Sequence, residues 1–245
     1  MVRGRTKSSK SRTSRGAGWK AWRWRILGAL VLATIGGAFW YWWYLAHWMP
    51  DRSLYPDQGV EVGAADGNVH FHTVRALGGQ FAYIDASTGE KGRDSAFLTN
   101  LAAAQEAGLK VGAVHHFDPC VMADGQSANF VVIVPRGKDM LPPVIELSGT
   151  ARDCPQRVNE AAVESELMTL INQIENHAGR PAILKIMPDF ESAYHLAPKL
   201  DRNLWLTRTR FQPDYAGRPW VLWTANEALR SEASEQPLRW VVVQP

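Results

Sequence analysis

A run of 21 residues without a charged side chain, from 26 to 46, constrains this chain more than any other feature. At 1.5 Å per residue, a helix of this length spans the roughly 30 Å hydrocarbon layer of a membrane. Tryptophan and tyrosine cluster at both ends of the run, as they do at bilayer interfaces. A cleaved signal peptide is the competing interpretation, but its apolar core is usually only about 7–15 residues long, and small residues follow it. The pattern therefore predicts an uncleaved transmembrane helix.

Basic residues flank this run on its N-terminal side. Residues 1–25 contain nine lysines or arginines and no acidic residue. Because such flanks stay in the cytoplasm, we predict a single-pass cell-membrane protein with a cytoplasmic N-terminus. The basic tail is predicted to be disordered and to meet anionic lipid heads. A linker at 47–58 would then lead to a periplasmic or extracellular domain at 59–245.

The net charge of +3 conceals an acidic outer domain. Without the nine basic residues of the tail, 18 basic residues face 24 acidic ones, a formal charge near −6. Nucleic acid is therefore not an expected partner, since its phosphates are neutralised by lysine and arginine.

Short apolar segments alternate with helical patterns through the outer domain. Predicted strands lie at 59–63, 80–86, 110–117, 141–148, 181–187, 204–207, 220–223 and 239–243, and predicted helices at 69–77, 95–107, 125–134 and 160–178. This alternation, followed by several strands without helices between them, predicts an α/β sheet that closes as an irregular barrel.

The central strand at 141–148 carries two polar side chains near its end. Glu146 and Ser148 are two residues apart, so they share one face of the strand. Functional groups of parallel α/β folds collect at the carboxyl ends of strands. The alternative is that Glu146 only reaches solvent or caps a neighbouring element.

Two cysteines, Cys120 and Cys154, lie in the outer domain. An oxidising compartment favours a disulfide if their separation permits one. We predict a bridge between the loop after the third strand and the loop after the central strand. No set of metal ligands with suitable spacing is evident in the sequence, and neither a metal nor another cofactor is expected.

Several motifs follow one another in a recognisable order. They are Gly-Val-Glu-Val-Gly at 59–63, Tyr-Ile-Asp-Ala-Ser-Thr-Gly at 83–89, Val-His-His-Phe at 114–117, Pro-Pro-Val-Ile-Glu-Leu-Ser at 142–148, Pro-Asp-Phe at 188–190 and Leu-Trp-Leu at 204–206. In this order they resemble glycoside hydrolase family 25, the lysozyme-type muramidases. The resemblance implies an irregular eight-stranded, TIM-like β/α barrel that acts on the glycan strands of peptidoglycan.

The resemblance also implies the site residues. Glu61 and Glu146 occupy positions where the family has catalytic aspartates, and Ser148 occupies the position of its proton-donating glutamate. The positions implied for substrate binding are Asp66, Tyr83, Asp85, His115, Asp189 and Trp223. Structural alternatives stay open for three of them: a helix-terminal charge for Asp189, barrel packing for His115 and core packing for Trp223.

The chemistry of these positions predicts impaired catalysis. Glycoside hydrolysis needs a proton donor at the leaving oxygen, and the hydroxyl of Ser148 is no acid near neutral pH. The longer side chains at Glu61 and Glu146 move each carboxylate by about 1 Å, which alone can cost about 10²-fold in rate. We expect a peptidoglycan-directed domain with impaired hydrolysis. The alternatives are an active muramidase that uses Glu146, Glu61 and another donor, a non-catalytic module that binds glycan or a cell-wall protein, and a structural membrane protein.

Overall fold

The computed structural model describes residues 15–137 and 139–245, which form two units that divide between Leu45 and Ala46. The first unit contains helix α1, Arg15–Ala46. Its segment Trp22–Ala46 contains an 18-residue window with a mean hydropathy of 1.5 and is, by length and composition, sufficient to cross a membrane. Residues 15–25 of the basic tail are helical rather than disordered, because they extend the same helix. Residues 1–14 of that predicted tail lie outside the described residues.

The second unit contains nine strands and five α-helices in its described residues. The strands are β1 Gln58–Val62, β2 Gly79–Thr88, β3 Gly92–Arg93, β4 Lys110–His116, β5 Val144–Leu147, β6 Ile183–Ile186, β7 Asn203–Thr207, β8 Leu222–Ser231 and β9 Ser234–Val243. The helices are α2 Phe71–Ala76, α3 Phe97–Glu106, α4 Ala123–Ile133, α5 Glu160–Ala178 and α6 Pro188–Tyr194, with short 3₁₀ helices at Ala64–Asp66 and Ala151–Asp153.

Eight of these strands close into a barrel. From β1 through β2, β4, β5, β6, β7 and β8 each strand is parallel to the next. Strand β9 closes the barrel antiparallel to both β8 and β1, and the two-residue β3 pairs only with the end of β2. The predicted irregular eight-stranded β/α barrel is therefore confirmed.

Side chains on the two faces of the strands form separate cores, because successive residues point to opposite faces. The larger core lies between the sheet and the helices. The smaller one fills the barrel with Phe81, Tyr83, Val114, Val144, Ile183, Trp205, Leu222 and Val241. Gly112 is required in this interior, since a Cβ there would collide with the ring of Tyr83.

Element bounds were best predicted where local signals are strong. Helix α5 has the predicted bounds 160–178, because the side chain of Asn159 accepts a hydrogen bond from the amide of Ala162 at its start and Gly179 ends it with φ +67°. Strand β8, predicted at 220–223, instead continues to Ser231. Its second half pairs with β9, and that long-range pairing leaves no mark on the local sequence.

Candidate active site

Charged side chains gather inside the barrel at the carboxyl ends of its parallel strands, an end called here the mouth. Strand pairing brings them to one level, because Glu61 lies opposite Arg239, and Glu146 lies between His116 and Lys185. Together they form the mouth cluster, defined as Glu61, Asp66, Asp85, His116, Glu146, Lys185 and Arg239.

Lys185 lies at the centre of the mouth cluster. Its Nζ is 2.6 and 2.7 Å from the two carboxylate oxygens of Glu61 and 2.8 Å from Oε2 of Glu146. The exposed fractions of the three residues are 4%, 0% and 9% respectively. A lysine this deeply buried requires carboxylate partners, so the two glutamates explain how β6 accommodates it.

Arg239 holds the other side of the mouth cluster. Its Nη2 donates to Asp85 at 3.0 Å and to Asp66 at 3.2 Å, and its Nε lies 3.4 Å from Glu61. Asp66 also accepts a hydrogen bond from the amide of Gly63 at 2.7 Å. The carboxylates of both Asp66 and Asp85 are thus occupied by protein donors.

His116 links Asp85, a partner of Arg239, to Glu146, a partner of Lys185. Its Nε2 is 3.1 Å from Asp85, and its Nδ1 is 3.3 Å from Glu146. Burial alone would lower the pKa of His116, but the hydrogen bonds to Asp85 and Glu146 outweigh burial and raise it to about 10. His116 is therefore an imidazolium near neutral pH, with both ring N–H groups engaged.

The charges of the mouth cluster determine which groups can donate a proton. Burial would raise the pKa of Glu146, but His116 and Lys185 overcome burial and hold that pKa below its usual range. Burial raises the pKa of Glu61 against the opposing charges of Lys185 and Arg239, yet Glu61 has no exposed surface from which to reach a glycosidic oxygen. Burial would also lower the pKa of Lys185, but Glu61 and Glu146 outweigh it and raise the pKa, so Lys185 stays charged.

Their shared contact with Lys185 sets an upper limit on the spacing of the two glutamate carboxylates. Glu61 and Glu146 contact the same Nζ atom at 2.6 and 2.8 Å, so their nearest oxygens cannot be farther apart than these two distances combined. Retaining glycosidases hold their two carboxyl groups roughly 5–5.5 Å apart. The mouth cluster departs from a hydrolytic pair in its charge, because an ammonium group occupies the space between the carboxylates.

Ser148 lies just beyond the end of β5. It is exposed, and its hydroxyl makes no hydrogen bond to the described residues. The position implied for the proton donor therefore faces solvent with a side chain that cannot supply a proton.

The other residues implied for substrate binding are dispersed. Tyr83 lies inside the barrel against Trp205, with ring centroids 5.1 Å apart. Trp223 packs outside the barrel wall against Tyr55 and donates its indole N–H to the carbonyl of Arg208. Asp189 is exposed in the first turn of α6. Of the implied binding residues, only Asp66 and Asp85 join the mouth cluster.

His115 points away from the barrel interior. It has no exposed surface, its Nδ1 is 2.8 Å from the hydroxyl of Ser87, and its ring packs on Phe130. A bulge in β2 between Asp85 and Ser87 brings that hydroxyl opposite His115. Burial lowers the pKa of His115 to about 4, which keeps the ring neutral. At the mouth, a ligand would meet His116 instead.

A disulfide joins Cys120 and Cys154, whose Cα atoms are 5.2 Å apart. It connects the loop after β4 to the loop after β5, the two strands that carry His116 and Glu146. Within residues 15–137 and 139–245, no group of three or more histidine, cysteine or acidic side chains could hold a metal ion.

None of the three cations of the mouth cluster, His116, Lys185 and Arg239, was predicted to belong to the site. A signal for Lys185 was present, since a charged residue inside the otherwise apolar strand 183–186 needs a buried partner. The inward direction of Arg239 can be predicted from alternation only once β9 is known to run antiparallel to β1. The sequence around His116 did not indicate which way its side chain points, because buried residues lie on both faces of β4.

Comparison with known proteins agrees with the geometry of the fold. The family model described as glycosyl hydrolases family 25 matches residues 60–229. The chain therefore belongs to glycosyl hydrolases family 25.

Individual relatives extend this comparison. A family 25 glycosyl hydrolase from Bacillus anthracis has a solved structure that superposes with a TM-score of 0.70 at 26% identity, covering 82% of this chain and 93% of that one. The bacterial lysozyme from Streptomyces coelicolor shares the fold with a TM-score of 0.67 at 18% identity, covering 77% and 92%. YegX of Escherichia coli strain K12, an uncharacterized protein, is 29% identical over 148 residues, which are 59% of this chain and 52% of YegX. The chain thus spans about half the length of that relative.

Proposed function

We propose that this protein is a membrane-anchored family 25 domain that binds peptidoglycan outside the cytoplasm and does not hydrolyse it at a normal rate. Membership of the family supports peptidoglycan as the target, since the Streptomyces coelicolor relative with the same fold is a lysozyme. The position of Lys185 between Glu61 and Glu146 is the observation that carries the second part.

The impairment follows from what each candidate group does in the mouth cluster. Glu146 is held as an anion, Glu61 is fully enclosed, and both N–H groups of His116 are directed at carboxylates. Loss of general acid catalysis ordinarily costs about 10²–10⁴-fold in rate. Recognition of a glycan does not require that proton, so a domain of this kind can bind strands that it does not cut.

The anchor and its orientation belong to the same proposal. Helix α1 contains the candidate membrane span Trp22–Ala46, which is uncharged from residue 26 onward, and the nine basic residues before Ile26 favour a cytoplasmic N-terminus. We divide the chain into a basic tail at 1–25, an anchor at 26–46, a linker at 47–58 and the barrel domain at 59–245. Protease added to intact spheroplasts is expected to degrade the barrel domain, and protection of that domain would contradict this orientation.

Full-length protein in detergent, mixed with insoluble peptidoglycan sacculi, tests the function. We expect the protein to sediment with sacculi while the turbidity of the suspension stays constant. An active lysozyme serves as the positive control for clearing, and Glu146→Gln is the matched variant. Clearing by the wild type that Glu146→Gln abolishes would establish an active muramidase and overturn the impairment. Absence of both sedimentation and clearing would refute peptidoglycan as the target.

A further inference from the structure

A cleft lies at the same end of the barrel as the mouth cluster. It is a cleft of about 520 Å³ between the loop at 150–160, which follows β5, and helix α6, which follows β6. Both segments leave the barrel at carboxyl ends of strands, so the cleft opens at the same end as the mouth cluster. Its polar lining comprises Thr150, Arg152, Arg157, Glu160, Ser192 and Tyr194.

The two arginines of this cleft differ from arginines elsewhere in the barrel domain. Arg152 and Arg157 are exposed, and neither makes an ion pair or a hydrogen bond to the described residues. In contrast, Arg202 pairs with Glu175 and Arg239 pairs with three carboxylates. Among the lining residues whose side chains the structure describes, Glu160 supplies the one acidic group against two arginines.

The walls of the cleft are held in place from two sides. Cys154 is tied to Cys120 by the disulfide, which restrains the loop that carries both arginines. The hydroxyl of Tyr194 accepts a hydrogen bond from the amide of Ala151 at 2.6 Å, which fastens the same loop to α6. A restrained loop loses less conformational freedom when its side chains engage a ligand.

We propose that this arginine cleft, named for Arg152 and Arg157, binds the carboxylate groups of an acidic peptide. Guanidinium groups match carboxylates through two parallel N–H···O hydrogen bonds, and Arg152 and Arg157 are the two cationic groups of the lining, both without an ion pair to the described residues. This inference rests on the proposed function, in which the peptide is the stem attached to the glycan strand at the mouth. Thr150 follows Glu146 by four residues, at most about 14 Å of extended chain, so one ligand can reach both sites.

Calorimetric titration of the full-length protein in detergent provides the test, with three soluble fragments of sacculi as probes. These are a disaccharide that carries its peptide, the same fragment with its carboxyl groups amidated, and the disaccharide without peptide. For the variant Arg152→Gln/Arg157→Gln we expect binding of the first probe to weaken about tenfold or more, the strength of one or two charge-assisted hydrogen bonds. Amidation should weaken binding to the wild type by a similar factor, and the bare disaccharide should bind both proteins equally.

The matched control removes two positive charges elsewhere. Lys91→Gln/Lys110→Gln alters a lysine whose side chain is 88% exposed and another at the start of β4, at the far end of the barrel. This control should bind the peptide-bearing probe as the wild type does. A loss of affinity equal to that of Arg152→Gln/Arg157→Gln would mean that the effect comes from the change in net charge and not from the cleft.

Three other results would overturn the inference. Unchanged binding of the peptide-bearing probe to Arg152→Gln/Arg157→Gln would rule out the arginine cleft as the peptide-binding site and leave the proposed function intact. Competition by inorganic phosphate as effective as that of the peptide-bearing probe would show an unspecific anion patch. Failure of the wild type to bind any probe or sacculi would refute the proposed function together with the inference.

Discussion

Adjacent histidines on β4 point to opposite sides of the barrel wall, and the two environments shift their pKa values in opposite directions. His115 faces the helices, where burial lowers its pKa to about 4 and Ser87 and Gln126 satisfy it as a neutral ring. His116 faces the mouth, where two carboxylates overcome burial and raise its pKa to about 10. One peptide bond therefore separates a neutral imidazole from an imidazolium.

The contrast extends to the regions that contain them. The shell between sheet and helices is stabilised mainly by apolar packing. The mouth cluster concentrates four carboxylates and three cations in a small volume, where each charge depends on its neighbours. In a low-dielectric interior an unpaired charge is destabilising. Substitution of one member of the cluster therefore leaves its partners with unpaired charges and lowers the stability of the fold.

Removal of Lys185 tests this dependence and has the largest expected effect. Lys185→Met leaves Glu61 and Glu146 facing each other without the intervening cation, and we expect the free energy of unfolding to fall by about 3–5 kcal/mol. Denaturant titration of the full-length protein in detergent measures this change.

The control for Lys185 carries the same substitution at the other end of the barrel. Lys110→Met changes an exposed lysine, so the loss should remain within about 0.5 kcal/mol. A loss below about 1 kcal/mol for Lys185→Met would mean that the carboxylates do not depend on their central cation. The double variant Glu61→Gln/Lys185→Met should recover part of the stability, since it removes one of the uncompensated charges.

Removal of the disulfide tests whether the loops or the strands hold the side chains of the mouth cluster in place. The bridge closes a loop with a sequence separation of 34 residues, so Cys120→Ser/Cys154→Ser should lower the free energy of unfolding by about 2–4 kcal/mol. The members of the cluster between these loops are held by strand pairing, so the pKa of His116 should not change, as followed by NMR titration. A pKa that returns toward 6.5 in this variant would show that the loops position the cluster.

The pH dependence of stability separates the two histidines. The folded pKa of His116 lies above its ordinary value of 6.5, so its contribution is complete below about pH 6.5 and is lost as the pH rises toward 10. The folded pKa of His115 lies below 6.5, so its contribution is complete above about pH 6.5 and is lost as the pH falls toward 4.

Substitution of each histidine should therefore flatten one side of the stability profile. His116→Gln should reduce the alkaline loss by on the order of 2 kcal/mol after allowance for its partial exposure, and His115→Gln should reduce only the acid loss. Unfolding midpoints of the two variants and the wild type between pH 4 and 10 provide the measurement. Flattening on the same side in both variants would contradict the division between the two sides of the wall.

The sequence was informative wherever one strand or helix contained the whole signal. Alternation along 141–148 placed Glu146 at the end of a strand on the face opposite Ile145 and Leu147, and the end signals of α5 predicted its bounds. Facing directions on β4 could not be predicted in this way, because Val114 inside the barrel and Ala113 outside it are both buried. The pairing of Arg239 with Glu61 depends on the register of two strands at opposite ends of the domain, and no local pattern records that register.

Ser148→Ala has the smallest expected effect and marks the boundary of the mouth cluster. Ser148 lies two residues beyond Glu146 on the same chain, yet it is exposed and has no hydrogen bond within the described residues. We expect the free energy of unfolding to change by less than about 0.5 kcal/mol, as for an ordinary surface position. Glu146→Gln, measured beside it, should cost clearly more, because it removes the carboxylate that Lys185 and His116 share. Equal effects of the two substitutions would mean that the cluster's charges are not coupled at the end of β5.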